Sequence, residues 1–277
     1  MVLNCYLVKG EQIMRFNDLD LDSWKELDLN VDSLWLIGER DKSGKHSNLY
    51  HGNFIPQIPN QLIRRFTKSN DTVLDPFLGS GTTLFECEKL NRKLIGFDIN
   101  RKMNDYVRSR MINYDKHLFD IQECDVTNKT EFEEKISLSL KKLGCTKTQF
   151  VIIHPPYLDI IKFTDEQSDL SHIKDVDTFI DVLDRAISNA LLYLERTHYF
   201  AVIIGDVYKN SEVIPLAFHV LYNIKSHYRV KLKGIIIKNI EGNRGKLGMN
   251  GIWKYRAIKS DYYIFKHEYI LVFKKEY

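Results

Sequence analysis

The sequence predicts an α/β fold, because short apolar runs alternate with helical patterns along most of the chain. Predicted helices separate the first five runs, which implies parallel strands joined by right-handed crossovers. The last two runs suggest an antiparallel hairpin at one edge of the sheet. The predicted strands are 72–76, 94–98, 118–124, 149–154, 198–204, 229–237 and 266–274, and the predicted helices are 60–68, 80–91, 101–113, 129–142, 177–195 and 212–224.

The composition is that of a folded protein without a structural zinc or disulfide framework. The 277 residues are 44% hydrophobic, which is ample for a core, and the formal net charge of +3 makes only a weak case for nucleic acid. The cysteines at 5, 87, 124 and 145 form no C-x-x-C pair and fit reduced thiols. No run is long enough to span a membrane, and the start lacks the basic residues of a signal peptide. We therefore expect a soluble cytoplasmic protein with no bound metal.

A glycine-rich motif, Asp75-Pro-Phe-Leu-Gly-Ser-Gly-Thr-Thr83, follows the first predicted strand and leads into a helical pattern. Its glycines fall where a strand turns sharply into a helix and where the backbone must come close to a ligand. The motif lacks the Gly-Lys-Ser/Thr ending of a P-loop. A carboxylate at the strand end, Asp75, suits a cationic amino-acid cofactor better than a pyrophosphate.

Two further acids follow the next two predicted strands. Asp98 lies about 20 residues after the glycine turn, where a carboxylate can bind both hydroxyls of a ribose. Asp125 could accept a hydrogen bond from an adenine amino group. Alternatively, Asp98 caps the helix that begins near Arg101, and Asp125 is a turn residue. Their shared position after consecutive strands favours cofactor binding.

The second motif, Ile153-His-Pro-Pro-Tyr157, ends the apolar run that begins at Phe150. Its two prolines predict a rigid, extended loop just beyond a strand end. In open α/β sheets ligands bind beyond the carboxyl ends of the strands, where both motifs would emerge. We therefore expect the two motifs to share one cavity.

Together the two motifs resemble those of the DNA amino-methyltransferases, which methylate adenine-N6 or cytosine-N4. The glycine motif followed by Glu86 is similar to the family's cofactor motif, and Pro155-Pro156-Tyr157 to its catalytic motif. The segment Pro56-Gln-Ile-Pro-Asn-Gln-Leu-Ile-Arg64 resembles the one that covers the methionine end of the cofactor, and His267–Lys274 resembles the last strand. The resemblance covers roughly residues 50–275, and its motif order departs from members that begin with the catalytic half.

The resemblance implies a class I methyltransferase (Rossmann-like) fold, with a mostly parallel seven-stranded sheet, an antiparallel C-terminal hairpin and S-adenosylmethionine as cofactor. An exocyclic amino nitrogen is a poor nucleophile, so acceptors fixed by the prolines must hold its hydrogens while it meets the sulfonium methyl. Tyr157 could stack against a base flipped out of the duplex. The implied catalytic residues are His154, Pro155, Pro156 and Tyr157, and the implied cofactor-binding residues are Pro56, Gln57, Asp75, Phe77, Gly79, Ser80, Gly81, Thr82, Asp98 and Asp125.

Histidine at position 154 departs from the family, which usually has Asp or Asn there in adenine enzymes and often Ser in cytosine enzymes. The identity of the target base therefore stays open. A neutral imidazole accepts a hydrogen bond and an imidazolium does not, so we expect turnover to fall as His154 is protonated below about its reference pKa of 6.5. Alternatively, His154 caps the strand end without touching the substrate. The polar stretch after the loop, which includes Asp169, either closes over the base or is a solvated surface loop.

The proposed domains are an N-terminal extension, 1–50, and a methyltransferase domain, 51–277. Within the latter, 239–265 is predicted to be an irregular connection and a candidate target-recognition loop, although it could be an ordinary mobile loop. Its cations and aromatic residues suit phosphate contact and base stacking in double-stranded DNA. The candidate nucleic-acid-binding residues are Arg244, Lys246, Trp253, Lys254 and Arg256.

Further hypotheses concern partners and rival functions. Because the chain is small, a homodimer or the N-terminal 50 residues could supply additional grip on DNA, and a restriction nuclease could be associated. A tRNA guanine amino-methyltransferase shares both types of motif but usually carries an added RNA-binding module. A non-catalytic partner with a decayed loop is the third alternative, against which the intact Pro155-Pro156-Tyr157 argues.

Overall fold

An eight-stranded sheet forms the centre of the computed structural model, which describes residues 15–47, 52–240 and 250–277. The strands of this sheet are β1 Leu34–Trp35, β2 Thr72–Asp75, β3 Lys93–Asp98, β4 Phe119–Glu123, β5 Thr148–Ile153, β6 Leu194–Ile204, β9 Val230–Asn239 and β10 His267–Lys275. Their order is β1-β9-β10-β6-β5-β2-β3-β4. A separate two-stranded hairpin comprises β7 Val207–Lys209 and β8 Glu212–Ile214.

Helices cover both faces of the sheet. They are α1 Gln57–Phe66, α2 Thr82–Lys89, α3 Arg101–Arg110, α4 Lys129–Leu143, α5 Val176–Tyr193, α6 Leu216–His227 and α7 Asn250–Lys259, with short 3-10 helices at Trp24–Glu26 and Leu170–His172. Helices α1, α2 and α3 contribute to one apolar core, and α4, α5 and α6 to the other. Strand residues alternate between the two cores, as a sheet covered on both faces requires.

Side-chain caps fix where several helices begin. Asn100 accepts a hydrogen bond from the Met103 amide ahead of α3, and Asn128 accepts one from the Glu131 amide ahead of α4. Asp175 does the same for α5. These short polar side chains satisfy amide groups that the first helical turn leaves without partners.

The topology confirms the predicted fold class. Strand β2 lies between β3 and β5 and is parallel to both, and β5 is parallel to β6. Strand β10 is antiparallel to β6 and to β9, which is the predicted C-terminal hairpin. Because β2, β3, β4 and β5 are parallel, the loops that follow them emerge at the same edge.

The predicted count of seven strands is wrong, because Leu34–Trp35 pairs in parallel with Ile237 and Lys238 of β9. Two residues are too few to produce a periodic pattern in the sequence. The Trp35 side chain is nonetheless part of the core and is only 3% exposed. Other contacts also join residues 15–47 to the rest of the chain, including an Asp18–Arg92 ion pair of 2.7 Å.

The predicted irregular connection 239–265 contains a helix, so this expectation is wrong in part. Helix α7 lies between β9 and β10, and the ring of Tyr262 after it stacks on Tyr208 at a centroid distance of 4.4 Å. Gly242, Gly245 and Gly248, which are spaced three apart in the sequence, favoured a loop, but the helix begins after them at Asn250. In the parts of the chain that the structure describes, no helix is both long and apolar enough to cross a bilayer.

Candidate active site

The glycine turn between β2 and α2 is closed by hydrogen bonds to a buried acid. The Asp75 carboxylate accepts hydrogen bonds from the Phe77 amide at 3.0 Å and from the Thr83 hydroxyl at 2.6 Å. Burial raises the pKa of Asp75 to about 7. Asp75 therefore shapes the turn from the interior and does not line the neighbouring cleft.

Gly81 precedes α2 with φ +83°, a left-handed conformation that favours glycine. A Cβ atom at this position would lie 2.7 Å from Cγ1 of Val107 on α3. The turn thus needs glycine for its backbone conformation and for the close approach of α3.

Asp98 connects the turn to the end of β3. One carboxylate oxygen accepts the Gly79 amide and the other accepts the Asn100 amide, both at 2.7 Å. Burial raises the pKa of Asp98 to about 6. The alternative role of helix cap falls to Asn100 instead, since its side chain caps α3.

Asp125 follows β4 and lines the same cleft. Its Oδ1 accepts hydrogen bonds from the Thr127 amide and hydroxyl at 3.0 and 2.7 Å. Asp125 is therefore a turn residue that also lines the cleft, and its binding of a cofactor stays a prediction.

The loop after β5 places His154 beside the glycine turn. Its Nε2 lies 3.1 Å from the Tyr157 hydroxyl, and its ring packs edge-on against Phe54 at a centroid distance of 4.8 Å. Burial lowers the pKa of His154 to about 4, although the nearby Glu268 opposes this shift. The imidazole is therefore neutral near pH 6.5, and the expected loss of turnover around that pH is corrected to a lower range.

Tyr157 turns away from the cleft into the protein. Its hydroxyl donates to Glu268 on β10 at 3.2 Å, and burial raises the pKa of the phenol. Glu268 in turn is paired with Lys238 on β9 at 3.1 Å. No local pattern signals this contact, because it joins residues 111 positions apart.

The two motifs line one cleft, whose empty space of about 780 Å³ includes open solvent. The predicted site residues that line the cleft are Phe77, Gly79, Ser80, Thr82, Asp98, Asp125, His154, Pro155 and Pro156. Those that do not line it are Pro56, Gln57, Asp75, Gly81 and Tyr157. Gln57 instead bonds backbone groups of Glu39 and Asp41.

Several cleft residues were not identified as site residues from the sequence. Asn53 donates to the Ser80 hydroxyl at 3.0 Å, and Phe54 and Phe163 add aromatic rings. The polar stretch after the catalytic loop contributes Asp169, whose carboxylate accepts hydrogen bonds from the Thr164 amide and hydroxyl. In the sequence, the polar residues that follow the proline loop were the only indication that this stretch lines the cleft.

The candidate nucleic-acid-binding residues lie on or before α7. Arg244 and Lys246 lie outside the described residues, and Trp253 belongs to α7 but its side chain is not described. Lys254 and Arg256 are exposed on this helix. Since α7 connects the end of β9 to the start of β10, it lies at the same sheet edge as the cleft.

A second polar cluster, formed by Asp41, His46 and Glu86, is the group of potential metal ligands found among the described residues. Its anionic charge already has a partner, because the Lys89 ammonium lies 3.2 Å from Asp41 and 3.0 Å from Glu86. His46 Nε2 lies 2.5 Å from Glu86. The lysine thus occupies the place of a cation, and we assign no metal here.

Comparison with known proteins supports the resemblance seen in the motifs. The N6/N4 DNA methylase family model matches residues 8–109, which is less than half of the chain and includes the glycine turn and Asp98. The loop that contains Pro155 and Pro156 lies beyond this match. The matched part of the chain is therefore similar to the N6/N4 DNA methylases.

Curated relatives are type II methyltransferases. M.MjaII of Methanocaldococcus jannaschii is 33% identical over 99 residues, or 35% of this chain and 19% of the relative. M.BglI of Bacillus subtilis is 29% identical over 139 residues, or 48% of this chain and 38% of the relative. The matches thus span less than two-fifths of these relatives.

Among solved structures, TrmN from Thermus thermophilus superposes with a TM-score of 0.52 at 13% identity, over 81% of this chain and 50% of that one. This likeness shows the fold, which is that of the class I methyltransferases. The family match confirms the predicted cofactor, S-adenosylmethionine.

Proposed function

We propose that this protein transfers a methyl group from S-adenosylmethionine to the exocyclic amino group of cytosine-N4 or adenine-N6 in double-stranded DNA. One observation carries the proposal: the glycine turn and the His154-Pro155-Pro156 loop emerge from neighbouring parallel strands and line one cleft. A cofactor methyl and an amino nitrogen must meet in such a space. The target base reaches it by flipping out of the duplex.

The cofactor half of the cleft offers acids suited to the nucleoside. Each oxygen of Asp98 accepts one backbone amide and retains a lone pair that can accept a ribose hydroxyl. Asp125 presents a carboxylate for the adenine amino group. The backbone of the glycine turn, between these acids and the proline loop, faces the rest of the cofactor.

The catalytic half supplies acceptors that hold the amino group. Neutral His154 and a backbone carbonyl of the proline-fixed loop each accept one hydrogen. Bound S-adenosylmethionine would supply an electrophilic methyl group to the amino nitrogen held in this way, and the electrons of the broken sulfur–carbon bond would stay on the sulfur. The product nitrogen afterwards releases its surplus proton to water.

The position of Tyr157 changes which residues we propose to stack against the flipped base. Its hydroxyl is engaged inside the protein, whereas the rings of Phe54, Phe77 and Phe163 line the cleft. We therefore assign stacking of the flipped base to these phenylalanines. Helix α7, with Lys254 and Arg256, and the segment before it are the proposed contacts to DNA, while a homodimer and a restriction partner stay predictions.

The decisive experiment follows a labelled methyl group from S-adenosylmethionine into double-stranded DNA, tRNA or no nucleic acid. We expect label in DNA alone, and none with a His154→Ala, Pro156→Ala double variant that keeps the wild-type unfolding profile. Digestion to nucleosides and mass spectrometry then identifies N4-methylcytosine or N6-methyladenine. Label in tRNA alone would replace the proposal with RNA methylation, and cofactor binding without transfer to either would favour the non-catalytic alternative.

A further inference from the structure

A chain of buried polar groups connects the edge of the cleft to the far strands of the sheet. Lys238 Nζ lies 3.1 Å from one oxygen of Glu268, and the Tyr157 hydroxyl lies 3.2 Å from the other. The same hydroxyl lies 3.1 Å from Nε2 of His154. Lys238 and Glu268 are only 5% and 8% exposed, so this ion pair is shielded from solvent.

The fold can bring these groups together because position 205, which lies against Tyr157, is a glycine without a side chain. Lys238 and Glu268 are directly opposite each other on β9 and β10, but β6 separates β10 from the strand that carries the catalytic loop. Gly205 follows the end of β6, and a Cβ atom there would lie 3.0 Å from Cε2 of Tyr157. Glycine thus leaves the passage through which Tyr157 reaches Glu268.

The order of donors along the chain determines the position of each proton. An ammonium only donates, so the Glu268 carboxylate beside Lys238 acts as an acceptor for both neighbours. Tyr157 has one hydroxyl proton, which it donates to Glu268. Its oxygen must then accept from His154, which requires a proton on Nε2 and leaves a lone pair on Nδ1 of the neutral ring.

The hydrogen bond at Nε2 leaves Nδ1 as the acceptor of the neutral ring. In the described part of the chain, the side-chain hydrogen bond of His154 uses Nε2. The His154 side chain lines the cleft and is half-buried. The Nδ1 lone pair is thus the acceptor that this ring can offer to a group bound in the cleft.

We infer that Lys238, Glu268 and Tyr157 are positioning residues that hold His154 in the Nε2–H tautomer and so aim the Nδ1 lone pair at the target amino group. The inference rests on the proposed function for the identity of that group. It gives Tyr157 a role as a link in a proton-ordering chain. It also explains why hydrogen bonds connect a buried ion pair to a catalytic side chain.

Nitrogen-15 NMR of the full-length, histidine-labelled protein near pH 7.5 tests the tautomer. The His154 signals are those lost in His154→Asn. We expect Nε2 at the shift of a protonated nitrogen and Nδ1 at that of an unprotonated one. The reverse assignment would overturn the inference, whether or not the protein methylates DNA.

Glu268→Gln provides a sharper test. Lys238 would bond the new amide oxygen, so the amide nitrogen would donate to Tyr157, which would then donate to Nε2 of His154. We expect the tautomer to reverse and kcat to fall at least about tenfold, with little change in the KM for cofactor. An unchanged tautomer and an unchanged kcat would each contradict the inference.

Two further variants keep the test decisive. Glu276→Gln removes a carboxylate next to β10 that pairs with exposed Lys231, and we expect it to leave both tautomer and kcat unchanged. If Glu268→Gln does not fold, Tyr157→Phe replaces it and should convert His154 to a mixture of tautomers. Retention of a pure Nε2–H form in Tyr157→Phe would refute the positioning role. If DNA is not methylated by the wild type, only the proposed function fails, because the NMR result stands without activity.

Discussion

At the scale of single residues, burial decides when His154 and Asp98 carry charge. Burial lowers the pKa of His154 to about 4 and raises that of Asp98 to about 6. Both shifts favour the neutral form, but their consequences differ. A neutral histidine can accept a hydrogen bond, whereas a neutral Asp98 is a poorer acceptor for ribose hydroxyls.

These two shifts predict different pH profiles for kcat and for cofactor binding. At saturating cofactor we expect kcat to vary by no more than about twofold between pH 8 and pH 6, because His154 stays neutral. The KM for S-adenosylmethionine should rise below about pH 6 as Asp98 is protonated. Steady-state kinetics across this range measure both quantities.

His154→Asn is the matched control, since its amide oxygen accepts a hydrogen bond without titrating. A decline of wild-type kcat centred near pH 6.5, absent from this variant, would mean that His154 is protonated there.

The pH dependence of the free energy of unfolding offers a second check on the pKa of His154. The unfolded chain binds more protons at His154 than the folded one between pH 4 and 6.5, so this residue's contribution to the free energy of unfolding is present above that range and is lost as the pH falls through it.

At the scale of secondary-structure elements, the turn between β2 and α2 combines two demands on one glycine. Gly81→Ala would place a Cβ in left-handed backbone and 2.7 Å from Val107. Gly144, after α4, has φ +66°, but a Cβ there would have no heavy atom within 4 Å. Gly144→Ala therefore measures the backbone cost alone.

We expect Gly144→Ala to lower the free energy of unfolding by about 1 kcal/mol. Gly81→Ala should cost about 2 to 4 kcal/mol, because strain and overpacking are added. Urea denaturation at neutral pH gives both values. Equal losses of unfolding free energy in the two variants would show that α3 moves to accommodate the Cβ atom without an energetic penalty. The close approach of Val107 would then not constrain the turn.

The elements that surround the cleft were those that the sequence predicted best. Strands β2 and β5 have continuous apolar runs followed by glycine or proline, and these local signals reflect the sterics that shape the turns. The parallel pairing of β2 and β5 then brought the two motifs into one cleft, as expected.

The elements that sequence patterns missed depend on distant contacts. Strand β1 has two residues, and it is a strand because β9, about 200 positions later, provides its partner. Helix α7 follows a glycine-rich stretch that masked its pattern. Tyr157 was assigned a stacking role because no local pattern reveals that Gly205 opens a path to Glu268.

At the scale of the whole molecule, charge placement matters more than total charge for binding DNA. The formal net charge is only +3, which gives little long-range attraction. Lys254 and Lys259 are exposed on α7, at the sheet edge where the cleft opens. Lys116, just before β4, and Lys141, in the last turn of α4, are also exposed, but they lie at the opposite edge.

This asymmetry predicts how salt affects binding. Replacing Lys254 and Lys259 with alanine should reduce the slope of log affinity against log salt by up to about 1.8, because each lost phosphate contact on duplex DNA contributes about 0.9. The matched double variant at Lys116 and Lys141 lowers the formal charge by the same two units. It should leave the slope unchanged if contacts, and not net charge, govern binding.

Fluorescence anisotropy with one duplex over a range of salt concentrations measures both slopes. Equal reductions of the slope in the two double variants would indicate that DNA binding depends only on the overall charge of the protein. That result would remove α7 from the proposed interface. A reduction confined to the α7 variant would instead place the duplex across the carboxyl edge of the sheet. From there a flipped base has the shortest route to His154 and the cofactor, because the loops that form the cleft leave the strands at this same edge.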